Sequence, residues 1–106
     1  MIWERVKELE EELLKLREER ERIIEKLSNL PMGHIDIKEI NGNKYYYLRY
    51  WEDGRLRSKY LGKNADEVKK QLEYANELRR NLSKIRERER KIEKILEKIE
   101  KIIKDI

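Results

Sequence analysis

The sequence has no cysteine, no phenylalanine, one proline, one histidine and four glycines in 106 residues. Without cysteine there can be no disulfide and no thiolate metal site. The single histidine, His34, has no second ligand at metal-binding spacing, so no metal centre is expected. No serine stands beside a base that would activate it, and the many glutamates alternate with Lys or Arg in the pattern of helix-face charges. No catalytic residue, cofactor or enzyme activity is therefore expected. Long apolar runs are also missing. Nothing approaches the roughly 18 apolar residues of a membrane span, and the opening MIWERVKE carries no apolar signal core. These absences predict a cytoplasmic chain with no membrane partner.

What the chain has is charge: 47% of its residues are Asp, Glu, Lys or Arg, with a net charge of +4. The charge is uneven, −2 over residues 1–31 and +3 over each of 32–64 and 65–106. A basic excess in the middle and last thirds points towards a polyanionic partner. The heavy use of Glu, Lys, Arg and Ile has a thermophilic character.

The apolar residues fall on two seams. Ile2, Val6, Leu9, Leu13, Leu16, Arg20, Ile23 and Leu27 alternate steps of four and three, as a coiled-coil helix over about 2–29 requires. Ser28, Asn29 and Pro31 end it, because proline cannot continue the helical ladder. A second helix over about 65–105 starts from an Asn64 cap and continues the pattern through Ala75, Leu78, Leu82, Ile85, Glu89, Ile92, Leu96, Ile99, Ile103 and Ile106. Paired antiparallel, Leu27 faces Leu82, Ile23 faces Ile85, Leu13 faces Leu96 and Ile2 faces Ile106. The one charged interruption of each seam, Arg20 and Glu89, then meets its counterpart, and this pair is expected to fix the register.

Between the helices lie two hairpin signals. Asn41-Gly42 suits a two-residue turn with positive φ at both positions. Glu52-Asp53-Gly54 is read as a three-residue loop, which sets Leu48 opposite Ser58 and Tyr46 opposite Tyr60. The expected strands are about 34–40, 44–51 and 55–61. On this reading one face packs, with Ile35, Ile37, Tyr46, Leu48, Tyr50, Leu56, Ser58 and Tyr60. The other gathers Lys38, Tyr45, Tyr47, Arg49, Trp51, Arg55, Arg57 and Lys59. A two-residue Asp53-Gly54 turn would instead move the third strand by one position and put its cations with Tyr46 and Tyr50. The longer loop is preferred because it keeps the apolar set of strand three on the face defined by strand one.

The expected fold is thus α+β, an antiparallel coiled-coil helical hairpin capped by a three-stranded antiparallel sheet. It forms a single domain over 1–106, with a stalk of 1–30 and 78–106 and a part over 32–77 in which a helix covers the sheet. Arginines and lysines beside exposed aromatics suit nucleic acid, since cations neutralise phosphates and rings stack on bases. The function expected is binding of nucleic acid, with double-stranded DNA favoured, through Lys38, Tyr45, Tyr47, Arg49, Trp51, Arg55, Arg57 and Lys59. Arg79, Arg80, Arg86 and Arg88 read as a solvated helix face. The alternative is a structural or protein-interaction module whose aromatic face is an interface. In either case Leu14, Ile24, Ile95 and Ile102, off the main seams, suit a homodimer or a protein partner joined through the coiled coil.

The stretch Tyr45-Tyr46-Tyr47-Leu48-Arg49-Tyr50, then Gly54 and Arg57-Ser58-Lys59-Tyr60-Leu61-Gly62-Lys63, resembles a three-strand motif of short uncharacterised archaeal and bacterial proteins. It is similar to N-terminal segments of some transposase-like proteins, many of which carry cysteines that this chain lacks. Three strands followed by a helix, over about residues 33–77, also resemble the arm-site DNA-binding domain of tyrosine-recombinase integrases. That resemblance implies DNA contacts at Arg49, Arg55, Arg57 and Lys59. The helix–hairpin–helix order is similar to prefoldin subunits as well, which implies a holdase as a third reading.

Overall fold

A computed structural model describes residues 2–105 and is α+β. Its elements are α1 (Ile2–Ser28), β1 (His34–Ile40), β2 (Asn43–Glu52), β3 (Arg55–Gly62) and α2 (Asp66–Lys104). The chain divides into two compact units, Met1–Ser28 with Leu78–Ile106, and Asn29–Glu77, so that α2 contributes to both. Among the described residues no helix is long and apolar enough to cross a membrane.

The first unit is an antiparallel helical hairpin. In α2, Leu78, Leu82, Ile85, Glu89 and Ile92 are buried at the alternating three- and four-residue steps of the seam. In α1 the matching residues are Leu9, Leu13 and Ile23. Leu9, Leu13 and Ile92 form one buried cluster, flanked by Leu16 and Leu96. Ion pairs across the hairpin include Arg17–Glu93 at 3.4 Å, Arg20–Glu89 at 3.5 Å and a bidentate Arg88–Glu12. Arg88 is therefore held by the other helix, not left on the solvated face expected for it. The pairing expected of Ile2 with Ile106 lies outside the described residues.

Arg20 and Glu89 meet, as the seams require. Glu89 is 4% exposed, yet only its Oε2 faces Arg20, and Oε1 is buried without a hydrogen-bond partner among the described residues. Such a group contributes little to stability and much to the choice of register, because any slip separates the two charges.

The second unit is a three-stranded antiparallel sheet in the order β1-β2-β3, followed by the first turns of α2. Asn64 Oδ1 accepts a hydrogen bond from the Asp66 amide at 2.9 Å and so caps α2. The β1–β2 ladder is the one expected, with Ile35 opposite Leu48 and Ile37 opposite Tyr46 around a two-residue turn in which Asn41 and Gly42 both have positive φ.

The β2–β3 ladder differs from expectation. Asp53 and Gly54 have φ of 51° and 74°, which makes this a two-residue turn as well. Glu52 pairs with Arg55, Leu48 with Lys59 and Tyr47 with Tyr60, so β3 stands one position away from the longer-loop register. Asp tolerates the left-handed region, and two successive residues there give the twist that neighbouring strands already have. The ladder absorbs the shift in a bulge: Tyr47 faces Tyr60 but Tyr46 faces Gly62, which leaves Leu61 without a partner.

Replacing Arg20 by Ala is expected to lower stability by about 3–5 kcal/mol, the cost of leaving a buried carboxylate without its partner. The paired change Arg20→Leu/Glu89→Leu should be neutral or stabilising by about 1–4 kcal/mol. Urea unfolding midpoints decide between them. A double variant as unstable as the single one would show that the pair supplies stability and not register.

Candidate nucleic-acid interface

Directly paired residues of an antiparallel ladder project to the same side, so the β2–β3 register assigns every side chain to a face. One face carries Ile35, Ile37, Glu39, Lys44, Tyr46, Leu48, Tyr50 and Glu52, and now also Arg55, Arg57 and Lys59, with Glu52 directly opposite Arg55. The other carries Asp36, Lys38, Ile40, Tyr45, Tyr47, Arg49 and Trp51, with Leu56, Ser58 and Tyr60. The eight residues expected on a single surface are thus divided. Lys38, Tyr45, Tyr47, Arg49 and Trp51 share one face, while Arg55, Arg57 and Lys59 lie on the opposite one. Side-chain alternation causes this, since a shift of one position reverses a whole strand.

Burial shows how far the first face is covered. Leu48, at 7% exposure, is the one buried residue of the described strands, and Ala65, Leu72 and Ala75 are the other buried residues of this unit. Full burial in the sheet is therefore confined to the middle of β2. In β3 all residues from Arg55 to Tyr60 are exposed, whichever face they are on. The edge strand is a ribbon open on both sides.

The cations of the two faces are in different states. Arg49 Nη1 lies 3.3 Å from Asp36 Oδ2, and Lys38 Nζ stands 4.9 Å from the centre of the Tyr47 ring. Arg55, Arg57 and Lys59 form no ion pair among the described residues. Residues two apart on a strand are about 6.8 Å apart. Three unpaired cations thus stand in an evenly spaced row, comparable with successive phosphates along one nucleic-acid strand.

The second face is aromatic. Tyr60, expected to pack inward, is 55% exposed and stands beside Tyr47 at 5.2 Å and Tyr45 at 6.4 Å between ring centres. Towards the Asp53-Gly54 turn, Trp51 is 72% exposed and sits directly opposite Leu56. The placement of Tyr60, like that of Arg55, Arg57 and Lys59, differs from the sequence expectation. The signal that finds it is the Asp-Gly dipeptide, which has the same form as the Asn-Gly of the first hairpin. His34 opens β1 and is exposed. Among the described residues no group of three or more His, Cys, Asp or Glu side chains could hold a metal.

Gly33, just before β1, has a φ of 118° and lies against the β2 backbone, where an added Cβ would run into the Arg49 carbonyl oxygen. Gly54 also has positive φ but open space around it. Gly54→Ala is therefore expected to cost about 1 kcal/mol through backbone conformation alone, and Gly33→Ala distinctly more. Thermal unfolding of the two variants checks the order. Equal costs would mean that the chain before β1 does not approach Arg49 so closely.

Residues 4–70, which run from α1 through the sheet into the start of α2, match a family described as a domain of unknown function (DUF6788), and the chain belongs to that family. No curated protein and no solved structure matches it.

Proposed function

We propose that this DUF6788 member is a non-enzymatic nucleic-acid-binding protein that holds double-stranded DNA by its phosphates through Arg55, Arg57 and Lys59 of β3. The observation that carries the reading is the row of unpaired cations on an edge strand exposed on both faces. Cations held in internal pairs lose part of their attraction for an external phosphate, and Arg49 is of that kind. Lys38, over the Tyr47 ring, forms no ion pair among the described residues. A two-stranded ribbon is also of a size to enter a DNA groove. Trp51, at the turn end of the ribbon, is placed to lie against sugar or base.

A second reading, association with another copy or with a protein partner, rests on the helical hairpin. Leu14, Ile24, Ile95 and Ile102 are exposed there. It is compatible with DNA binding, and light scattering of the free protein tests the first form of it: a monomer at micromolar concentration would remove self-association and leave only a different protein partner.

The DNA reading is tested by fluorescence anisotropy of a labelled random-sequence duplex between about 50 and 200 mM salt. Three phosphate contacts predict a log–log slope of about −2.7. Arg55→Ala/Arg57→Ala should bind more weakly, and its slope should be shallower by about 1.8. Absence of binding at the lower salt overturns the reading.

A further inference from the structure

The aromatic face of the ribbon offers a site of a different kind from the phosphate row. Ile40, Tyr45, Tyr47 and Tyr60 line an open hollow of about 300 Å³. Its rings are tilted against each other, by 48° for Tyr47 and Tyr60 and by 39° for Tyr45 and Tyr60, so none is capped by a neighbour lying flat on it. Lys38, opposite Tyr45 in the ladder, holds its Nζ over one face of the Tyr47 ring at 4.9 Å and so brings a positive charge beside the hollow. The one carboxylate on this face of the strands, Asp36, is held by Arg49 and does not oppose an incoming anion. The site thus combines ring walls, those of Tyr45 and Tyr60 not covered by the ammonium, with a neighbouring cation and no unpaired acid.

Size decides what such a site takes. The hollow measures about 300 Å³ and is lined by four side chains, room for one planar ring system. We propose that the Tyr45–Tyr47–Tyr60 hollow receives a single unstacked nucleobase, with Lys38 on the adjoining phosphate. The ligand this chain prefers is then DNA in which an unpaired nucleotide adjoins a duplex held by Arg55, Arg57 and Lys59. This rests on the DNA reading above.

The topology brings the two contacts together on β3. β3 is an edge strand, and along it Lys59 and Tyr60 are consecutive and project to opposite faces. A nucleic-acid strand crossing that edge meets the cation row on one side and the hollow on the other. The bland account of the tyrosines is that Tyr47 and Tyr60 form a cross-strand pair that only strengthens the ladder. Tyr45 answers that account, because its ladder partner is Lys38 and it reaches Tyr60 only diagonally.

The test compares a fully paired duplex with the same duplex carrying one unpaired adenine, both titrated by anisotropy across the same salt range. The bulged duplex is expected to bind roughly tenfold more tightly, the order supplied by stacking one base. Tyr60→Ile and, separately, Tyr45→Ile should each remove most of that preference while leaving the salt slope on the paired duplex unchanged, with circular dichroism confirming that the fold is kept. Tyr45→Ile guards against the case in which loss of the Tyr47–Tyr60 pair unfolds the ladder. Equal affinity for the two duplexes, or a preference that survives in a folded Tyr45→Ile variant, overturns the hollow as a base site and leaves the phosphate row standing. Failure of both duplexes to bind overturns both readings.

Discussion

Two consecutive residues with positive φ, Asp53 and Gly54, set what the sheet can do. A strand has a side-chain period of two, so the length of a turn fixes which half of the following strand faces which way. With a two-residue turn, Arg55, Arg57 and Lys59 point away from Trp51, Tyr47 and Tyr45. With one residue more they would join them. The separation of a cationic row from an aromatic hollow follows from that choice, as does the position of Tyr60 beside Tyr47. The bulge at Leu61 confines its consequences to β3, since the β1–β2 ladder and the Leu48 face keep their own register.

The helical hairpin solves a similar problem in another way. Heptad seams can be slid along one another by whole repeats with little loss of apolar contact, so leucine and isoleucine alone do not define where two helices stop. Arg20 and Glu89 add an ionic requirement that only one alignment meets. The cost is visible in the Glu89 Oε1, buried with no hydrogen-bond donor among the described residues. Arg88–Glu12 and Arg17–Glu93 act in the same sense at the margins, where solvent weakens each pair.

Much of this was legible in the sequence. The helices were readable because their periods are long and repeated: α1 ends at Ser28, just before the Asn29 and Pro31 that were expected to stop it, and α2 begins behind an Asn64 that caps it. The first hairpin was equally plain, since Asn-Gly admits one turn type. The second was not. Asp-Gly preceded by Glu fits a two- or a three-residue loop, and the apolar pattern of β3 was used to choose between them. That pattern misled because β3 is exposed on both sides from Arg55 to Tyr60, so Leu56 and Tyr60 are not inward residues at all. Alternation reports a core only where a core exists. The pairing of Arg88 with Glu12 was hidden for a related reason: a charge on a helix flank looks the same whether its partner is solvent or another helix.

The register of β3 is therefore the point on which the account stands, and nuclear Overhauser contacts in the folded protein test it most directly. Cross-strand contacts of Tyr60 with Tyr47, and of Lys59 with Leu48, are expected from the two-residue turn. Contacts of Tyr60 with Tyr46 and of Ser58 with Leu48 would place the cations on one face with Tyr45, Tyr47 and Trp51 and contradict the separation from which both proposed sites are derived.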